Sequence, residues 1–407
     1  MKVTHISVAT TGGAGIAAYR LHCALLKYTD VDSNFVQQYN LAKENLGAKV
    51  YTVPPVSSFV HKIKCHFEIT PEHLNWKNTQ RYPGDYEIIT YPRTSYRIEN
   101  LDIFKDTDIV HLHWVADFIN YPSFFKKIKK PILWTLHDMN PFMGLFHYEG
   151  DRIRNEATLG KLDHKIFEQK IRYIDRNKDI NIVCPSDWLK NKSQASLILG
   201  RYPHYTSIPH GIDLSKYPDL DRLMVKEKLG LNNGLKTILF VAHDITVYRK
   251  GIGLLIDAIN QLDTSKFNLV SVGGGKIQLN SKINYIHFPK IHDISVLNTI
   301  YSAADLTVIP SREDVITNVM PESFANGTPV LSFSNGGMVE HIKTGENGIL
   351  VEEISVKSLI DNLKDFLDNN YSFNNEDIRK YALDHFSEKL HAEKYKQLYE
   401  DILNKRK

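Results

Sequence analysis

The chain has 407 residues, enough for two or three domains of ordinary size. It is 42% hydrophobic and 24% charged with a formal net charge of +3, which is typical of a globular enzyme and does not indicate nucleic-acid binding. Three widely spaced cysteines, Cys23, Cys65 and Cys184, argue against a disulfide framework or a zinc site, and we expect buried thiols. Without a signal-peptide pattern or a run of about 18 apolar residues, the sequence predicts a cytoplasmic protein.

Short β-branched segments alternate with amphipathic segments along the whole chain. In the first half, "KVTHISVA" precedes a helical pattern over residues 15–27, and "SNFVQQY", "DIVHLHW", "PILWTLH" and "INIVCPS" follow. In the second half, "KTILFVA", "FNLVSVGGG", "INYIHFP", "DLTVIPS" and "TPVLSF" alternate with segments such as "KGIGLLIDAINQL". This order predicts parallel sheets with right-handed crossovers and with helices on both faces.

The series of strands restarts in the middle of the chain. Residues 207–234 are rich in Pro, Gly and charge, and we interpret them as a linker. We therefore predict an α/β protein with two doubly wound, Rossmann-like parallel-sheet domains, residues 1–210 and 211–385. Residues 386–407 predict a terminal amphipathic helix that packs back toward the first domain. Ligands of such sheets bind at the carboxyl ends of the strands, so we expect a site in a central cleft between the domains.

A glycine-rich turn follows the first strand in "VATTGGAGIAAYRL". Gly13, Gly15 and Ala18 match the dinucleotide fingerprint, in which backbone N–H groups hold a pyrophosphate. The second strand ends in "FVQQY" without the carboxylate that would hold ribose hydroxyls, which disfavours a nicotinamide or flavin site. A tight turn without a ligand is one alternative. We favour an anion or a sugar close to the backbone of Gly12 and Gly13.

Two adjacent cations stand where a strand loop enters a helix, in "VYRKGIGLL". Gly251 allows a tight turn there, directly after Arg249 and Lys250. A guanidinium fork beside an ammonium suits a diphosphate, and a solvated basic turn is the alternative.

Two carboxylates surround the start of a short helix in "SREDVITNVMPESFANGTPVLSF". Pro321 is tolerated only in the first turn, which predicts a helix from about Asn318 to Ala325. Asp314 then lies in the preceding loop and Glu322 just inside the helix. There the carboxylates can accept hydroxyl groups of a hexose and a ribose, or simply complement the helix dipole.

These segments resemble the retaining GT-B glycosyltransferases of the glycosyl transferases group 1 type, and especially bacterial enzymes of colanic acid, exopolysaccharide or O-antigen synthesis. The resemblance runs through "GGAGIAAYRLH", "DIVHLHW", "PILWTLHDMNPF", "IPHGID" and "RKG", and it is most specific over residues 302–333. It implies a UDP- or GDP-sugar donor and an oligosaccharide or lipid-linked acceptor. It also implies peripheral contact with the inner membrane surface, with no cofactor, metal or nucleic acid.

The resemblance also implies roles for individual residues. Glu322 would bind the ribose, and Asp314 would contact the donor sugar. His137, in "TLHD", matches the histidine that contacts a sugar hydroxyl beside the reacting carbon. The donor diphosphate would be bound by Gly12, Gly13, Arg249, Lys250 and the backbone of Asn318 and Val319.

Some positions depart from the family pattern. Many relatives have Glu at the position of Asp314. The usual arginine six residues before Lys250 is Asp244 here, so Arg249 would have to neutralise the diphosphate. The cysteine cluster that often follows "HDMxPF" is missing from "FMGLFHYEGDRIRN".

Three further features have two interpretations each. His111 and His113 in "HLHW" are expected on opposite faces of a strand, so that at most one faces the cleft. "FFKKIKK", residues 124–130, predicts either a solvated helix face or a contact with anionic lipid. "DLD", residues 219–221, resembles a metal motif, but it falls in the segment that we interpret as a linker.

Other functions on the same scaffold stay open. A nucleotide-sugar epimerase or hydrolase would need an additional acid/base pair, which the sequence does not reveal. A non-catalytic sugar-nucleotide binding protein would be favoured if the basic pair or the acids were missing. The leading hypothesis is a metal-independent, retaining sugar transferase.

Overall fold

The chain folds into two α/β units. The structure, a computed structural model, describes residues 1–39, 49–81, 83–279, 283–291 and 293–406. Unit 1 combines Met1–Pro209 with His391–Lys407, and unit 2 comprises His210–Leu390. Each unit contains one parallel sheet, so the predicted α/β fold with two parallel-sheet domains is confirmed.

Unit 1 contains a seven-stranded sheet in the order β3-β2-β1-β4-β5-β6-β7. Its strands are β1 (Lys2–Ser7), β2 (Asp32–Gln37), β3 (Val50–Thr52), β4 (Ile109–Leu112), β5 (Ile132–Thr135), β6 (Ile180–Cys184) and β7 (Tyr205–Ser207). Its helices are α1 (Gly12–Tyr28), α2 (Phe59–His66), α3 (Pro71–Arg81), α4 (Ile103–Asp106), α5 (Tyr121–Lys127), α6 (Glu149–Arg154), α7 (Glu156–Ile174) and α8 (Asp187–Gln194). The central strands are apolar and buried, because helices cover both faces of such a sheet.

Unit 2 contains a six-stranded sheet in the order β10-β9-β8-β11-β12-β13. Its strands are β8 (Lys236–Asp244), β9 (Phe267–Gly274), β10 (Asn284–Phe288), β11 (Leu306–Ile309), β12 (Val330–Phe333) and β13 (Gly348–Val351). Its helices are α9 (Arg222–Lys228), α10 (Ile252–Ile259), α11 (Ile294–Ala303), α12 (Val319–Ala325), α13 (Val356–Leu367) and α14 (Asn375–Phe386). The strand order reverses between β8 and β11, which is where the candidate residues of this unit cluster.

The terminal helix α15 (Glu388–Asn404) completes the core of unit 1. Tyr395 and Tyr399 are almost fully buried among side chains of α1 and the sheet. The Tyr395 hydroxyl is 2.9 Å from Thr135 Oγ1, and the Tyr399 hydroxyl is 2.7 Å from His111 Nδ1. The amphipathic helix expected from the sequence thus packs on unit 1 through both its apolar and its phenolic groups.

The proposed linker over residues 207–234 is wrong in extent. Helix α9 folds within this segment, and Val225 and Leu231 join a buried cluster that contains Leu239 of β8. Asp221, from the "DLD" motif, caps α9 by accepting a hydrogen bond from the Met224 N–H at 3.1 Å. A seven-residue helix buries only a few apolar side chains, so the Pro-, Gly- and charge-rich composition of the segment gave no sign of α9.

The structure also bears on the expectations for the cysteines, for the lysine-rich segment 124–130 and for membrane-spanning helices. Cys184 is buried, but Cys23 and Cys65 are exposed, because they lie on outward faces of α1 and α2. In α5 both phenylalanines are fully buried, so the outward part of "FFKKIKK" consists of lysines. Among the described helices, none is both long and apolar enough to cross a bilayer.

Candidate active site

The loop after β8 approaches the end of β11 so closely that it requires a glycine. Tyr248–Lys250 form a 3-10 turn, and Gly251 follows in the left-handed region with φ of 73°. A Cβ atom on Gly251 would lie 1.8 Å from the Pro310 carbonyl oxygen. The Arg312 N–H also donates to the Arg249 carbonyl at 2.8 Å. The predicted role of Gly251 in a tight turn is therefore confirmed, and the turn fixes the neighbouring cations.

Arg249 and Lys250 converge on Asp314, which is buried. Lys250 Nζ is 2.6 Å and Arg249 Nη1 is 3.4 Å from Asp314 Oδ2. The Ser311 hydroxyl donates to the same oxygen at 3.3 Å. Burial alone would raise the pKa of Asp314, but the charges of Lys250 and Arg249 and these hydrogen bonds hold it below the ordinary value. The Asp314 carboxylate thus forms ion pairs with two cations at the same time.

The two cations of this cluster differ in accessibility. The Arg249 side chain is only 7% exposed and donates to the Glu313 carbonyl at 3.0 Å, so it braces the loop. The Lys250 side chain is 22% exposed and is the more accessible of the two.

A third cation in the same loop, Arg312, was not predicted from the sequence. Its guanidinium lies 4.4 Å from the centroid of the Tyr248 ring, a cation–π distance. Its Nε is buried and has no hydrogen-bond partner among the described residues. Arg312 stands two residues before Asp314, which is the signal that could have revealed it.

Helix α12 begins where the proline rule places it. Asn318 is the N-cap residue, and Pro321 lies in the first turn of the helix. The Val319 N–H, one of the amides expected to bind the donor, donates to Thr317 Oγ1 at 3.3 Å. A ligand at this amide would therefore replace the Thr317 hydroxyl.

Glu322 is buried in the same helix but has a different neighbour. Its Oε2 accepts a hydrogen bond from the Tyr301 hydroxyl at 3.3 Å, and Tyr301 is itself fully buried. Asn326 Nδ2 donates to the Glu322 carbonyl at 2.9 Å and closes the helix.

The loop after β12 holds the Asp314 loop from the other side. Asn335 Nδ2 donates to the carbonyls of Ser311 and Arg312 at 2.9 and 3.1 Å. Gly336 has φ of 59°, and a Cβ atom on it would lie 1.8 Å from the Asp314 carbonyl oxygen. The loops after β8, β11 and β12 thus form one interlocked group, each with a glycine or an amide at the point of contact.

In unit 1, the glycine segment begins a helix earlier than expected. Helix α1 starts at Gly12, whereas the sequence pattern indicated Gly15. A Cβ atom on Gly15 would lie 2.4 Å from the Ala9 carbonyl oxygen, so Gly15 allows α1 to pack on the loop that follows β1. Gly12 has φ of 75° and open space around its Cα, and Gly13 is the next residue of the first turn.

His137 ends a chain of hydrogen-bonded imidazoles. His5 Nδ1 is 2.9 Å from His113 Nε2, and His113 Nδ1 is 3.2 Å from His137 Nε2. The chain exists because β1, β4 and β5 are adjacent in the sheet. Burial lowers the pKa of His137 to about 4, although the charge of Asp138 acts in the opposite direction. His137 is therefore neutral at pH 7.

The prediction that His111 and His113 point to opposite faces is wrong. Their ring centroids are 4.0 Å apart, because residues two apart on an extended strand share a face. His111 uses both ring nitrogens, with Tyr399 and with Thr135. Nitrogens of His5, His111 and His113 lie within 4.8 Å of one another, a spacing that could suit a metal. In this structure they form the hydrogen bonds just described.

A buried polar network fixes the loop that carries His137. Asp138 Oδ2 accepts hydrogen bonds from Trp114 Nε1 at 2.7 Å and from His147 Nδ1 at 2.6 Å. Burial would raise the pKa of Asp138, but His147 and these hydrogen bonds keep it below the ordinary value. Lys170 Nζ donates to the Asn140 carbonyl at 2.8 Å, and burial lowers the pKa of Lys170 to about 7. Sequence reasoning missed Lys170, because it lies on a helix thirty residues away.

Unit 1 also contains a cavity of about 500 Å³ next to this loop. It is lined by the segment after β5 and by helices α6, α7 and α8. Its apolar and charged lining includes Phe142, Met143, Phe167, Arg152, Asp163 and Lys192.

Comparison with known proteins connects this geometry to a family. Residues 235–369 match the family model described as glycosyl transferases group 1. An uncharacterized glycosyltransferase of Methanocaldococcus jannaschii is 23% identical over 330 residues, which cover 77% of this chain and 81% of that protein. Sucrose-phosphate synthase from Thermosynechococcus elongatus superposes with a TM-score of 0.71 at 16% identity, covering 99% of both chains. The chain has the fold of the GT-B glycosyltransferases, and its second unit contains a glycosyl transferases group 1 domain.

A second solved structure of this GT-B type is that of HepE from Anabaena, in complex with UDP-glucose. Its TM-score is 0.67 at 13% identity, with 98% of this chain and 100% of that chain covered. The group 1 match lies wholly within unit 2 and contains Arg249, Lys250, Asp314 and Glu322. The expected fold is thus confirmed, and the expected group 1 family is matched over residues 235–369. Retention, the donor and the link to colanic acid or O-antigen stay predictions.

Proposed function

We propose that this GT-B glycosyltransferase transfers a sugar from a nucleotide-sugar donor to a saccharide acceptor, with retention of anomeric configuration. The observation that carries the proposal is the convergence of Arg249 and Lys250 on the single buried carboxylate of Asp314. Two cations against one carboxylate leave a surplus positive charge in this group of three side chains. The complex of HepE with UDP-glucose supports a donor of the same chemical class.

The chemistry of the leaving group explains why such a charge is useful. When the anomeric bond breaks, the nucleoside diphosphate gains negative charge, and fixed cations stabilise it most in a site with little water. Lys250 is partly exposed and can exchange Asp314 for a phosphate oxygen, whereas Arg249 stays tied to the Glu313 carbonyl. Arg312, beside Tyr248, supplies a further guanidinium for the same diphosphate.

The remaining donor contacts follow from the same proposal. Glu322 would exchange the Tyr301 hydroxyl for the ribose hydroxyls, and Asp314 would accept a hydroxyl of the sugar through Oδ1. The Val319 amide would exchange Thr317 for a sugar hydroxyl or a phosphate oxygen. The roles of His137, Gly12 and Gly13 stay predictions of the family resemblance.

The acceptor is proposed to be a saccharide of bacterial surface polysaccharide synthesis. The cavity of about 500 Å³ in unit 1 suits such a ligand, because its lining contains both aromatic and charged side chains. Sugars present apolar ring faces and polar rims, and such sites combine both kinds of contact.

The test compares two lysine variants that each lose an ion pair. Lys250→Met removes the accessible cation of the cluster, and Lys266→Met removes a lysine that pairs with exposed Asp368 at 2.7 Å. Thermal unfolding is measured with UDP-, GDP-, ADP- and dTDP-sugars. A ligand at about 100 times its Kd adds about 2.7 kcal/mol of stability. We expect one donor class to stabilise the wild type and Lys266→Met, but not Lys250→Met.

Equal stabilisation of both variants by every donor would contradict the assignment. Product analysis by NMR then reports the anomeric configuration and distinguishes transfer from hydrolysis. Activity after dialysis against a chelator tests the expected independence from metal.

A further inference from the structure

One short region of unit 1 exposes an unusual number of large apolar side chains. Of the twenty such side chains exposed among the described residues, seven lie between residues 59 and 76. They are Phe59, Val60, Ile63, Phe67, Ile69, Leu74 and Trp76. Phe59 is 78% exposed, and neither α2 nor α3 buries a single residue.

Helix α2 arranges these side chains on one face. With about 100° per residue, Phe59, Val60 and Ile63 fall within an arc of about 100°, which Phe67 extends past the helix end. Lys62 and Lys64 flank the arc on opposite sides at this spacing. Apolar groups in the middle with lysines at both edges are the pattern of a helix that lies in a lipid interface.

Local contacts hold α2 in this form without covering its apolar face. The Ser58 hydroxyl caps the helix by accepting from the His61 N–H at 3.1 Å. On the side opposite the apolar arc, Cys65 Sγ is 3.3 Å from His61 Nε2.

The adjacent helix α3 is tied to the body of unit 1 by polar groups. Glu72 accepts hydrogen bonds from the N–H and the hydroxyl of Ser95, at 2.5 and 2.6 Å. Asn75 Nδ2 donates to the Arg93 carbonyl at 3.1 Å. These contacts hold one side of α3 against unit 1. The Trp76 side chain of the same helix stays 60% exposed.

The charges around α2 favour an anionic partner. Lys62 and Lys64 are exposed, and the nearby carboxylate of Glu68 is 3.0 Å from Lys77 Nζ. The Glu72 carboxylate is occupied by Ser95. A second copy of the chain is a poorer partner, because a two-fold interface centred on this helix would bring like lysines together.

We infer that the face formed by Phe59, Val60, Ile63, Phe67, Lys62 and Lys64 docks on the surface of an anionic lipid bilayer. The rings and aliphatic groups enter the headgroup boundary, and the lysines extend to the lipid phosphates. This surface differs from the lysine-rich segment 124–130, where both phenylalanines are buried. The inference does not rest on the proposed transfer reaction, since lipid binding is measured without donor or acceptor.

The test is flotation of the full chain with vesicles of defined composition. One set contains phosphatidylcholine alone, and the other contains equal parts of phosphatidylcholine and phosphatidylglycerol. The apolar variant is Phe59→Ser/Ile63→Ser/Phe67→Ser. Its matched control is Leu223→Ser/Met224→Ser, which removes two exposed apolar side chains of α9 in unit 2. The charge variant is Lys62→Ala/Lys64→Ala, with Lys126→Ala/Lys127→Ala as its control.

We expect the wild type and both controls to float with the anionic vesicles. The apolar and charge variants should each lose at least tenfold in vesicle affinity, and added salt should weaken wild-type binding. Equal flotation of the wild type and the apolar variant would overturn the inference, as would failure of the wild type to bind anionic vesicles. A wild-type dimer that the apolar variant converts to a monomer would assign the face to a second copy instead. Unchanged thermal unfolding of the variants confirms that they remain folded.

Discussion

The ammonium of Lys250 lies 2.6 Å from Oδ2 of Asp314, in a place where the carboxylate is almost completely shielded from water. The same oxygen also faces Arg249, so a single negative charge separates two positive ones. Removing that negative charge leaves Arg249 and Lys250 without the carboxylate that they share. This relationship makes Asp314 a stabilising residue before any ligand binds.

The first prediction concerns the charge of Asp314. Asp314→Asn keeps the shape of the side chain and removes its charge, so Arg249 and Lys250 lose the carboxylate that they share. Breaking a buried ion pair from one side costs about 3 to 5 kcal/mol. We expect the free energy of unfolding to fall by about 3 kcal/mol in urea titrations.

The control for this prediction is Asp368→Asn, which disrupts the exposed pair with Lys266. Exposed pairs contribute about 0 to 1 kcal/mol. A similar small effect of both variants would show that the cluster does not support the fold.

The second prediction concerns Gly336, which touches the Asp314 loop. Gly336→Ala adds a Cβ atom 1.8 Å from the Asp314 carbonyl and also strains a backbone with φ of 59°. Gly230→Ala provides the control, because Gly230 has φ of 72° but nothing within 4 Å of an added Cβ. We expect about 1 to 2 kcal/mol of destabilisation at Gly230, from the backbone alone.

At Gly336 the loss should be larger and should be accompanied by weaker donor binding, because the loop with Asp314 has to move. Chemical denaturation and donor titration measure the two effects. Equal losses at Gly230 and Gly336, with donor affinity intact, would contradict the interlocked-loop description.

The sequence alone predicts much of this region, and for physical reasons. Pro321 fixes the start of α12, and the glycine after Lys250 marks a turn that only a residue without Cβ can form. The hydrogen bonds from Asn335 to the Ser311 and Arg312 carbonyls could not be predicted from the sequence, because nothing local indicates which loop this amide reaches. The strand order could not be predicted either. The hydrogen-bonded imidazoles of His5, His113 and His137 meet only because β1, β4 and β5 are adjacent in the sheet.

Other parts were missed because the pattern was weak or was read incorrectly. Helix α9 is too short to produce a strong apolar period, so its segment resembled a linker. The opposite-face prediction for His111 and His113 conflicts with the two-residue period of strands, which the structure follows.

The third prediction concerns the positioning of His137. His113→Asn cannot reproduce both imidazole hydrogen bonds, so His137 loses its orienting partner while the strand keeps a polar residue. Misplacement of a reacting group by about 1 Å can lower a rate by about 100-fold. We expect kcat to fall by about tenfold to 100-fold, with little change in donor affinity.

His22→Asn is the control, because the His22 ring is hydrogen-bonded to the Ser33 hydroxyl and not to the imidazoles of His5, His113 or His137. A fall in donor affinity with unchanged kcat, or equal effects of the two variants, would contradict a positioning role for His113.

The fourth prediction concerns acid stability. Burial lowers the pKa of His22, His137 and His341 to about 4 and that of His391 to about 3. In the unfolded chain these groups titrate near 6.5, so below that pH the unfolded state binds more protons than the folded state. Stability from these groups is therefore complete above about pH 6.5 and decreases as the pH falls toward 4. Each histidine contributes up to about 1.4 kcal/mol per pH unit.

His391→Phe tests this dependence on one group. Neither His391 nitrogen has a hydrogen-bond partner among the described residues, and the ring packs edge-on against Tyr395. We expect the plot of unfolding free energy against pH to become less steep between pH 6.5 and 4, with little loss of stability at pH 7. An unchanged slope would contradict a neutral, buried His391.

The packing of Tyr395 and Tyr399 into unit 1 has a consequence for how the chain is made and cut. Unit 2 is one continuous segment, but unit 1 is built from two segments that unit 2 separates. During synthesis the sheet of unit 1 emerges first, yet His111 and Thr135 gain their phenolic partners only after all of unit 2 has been translated. The chain also crosses between the units twice, near residues 209 and 390, so a single proteolytic cut at either crossing would leave them covalently joined through the other.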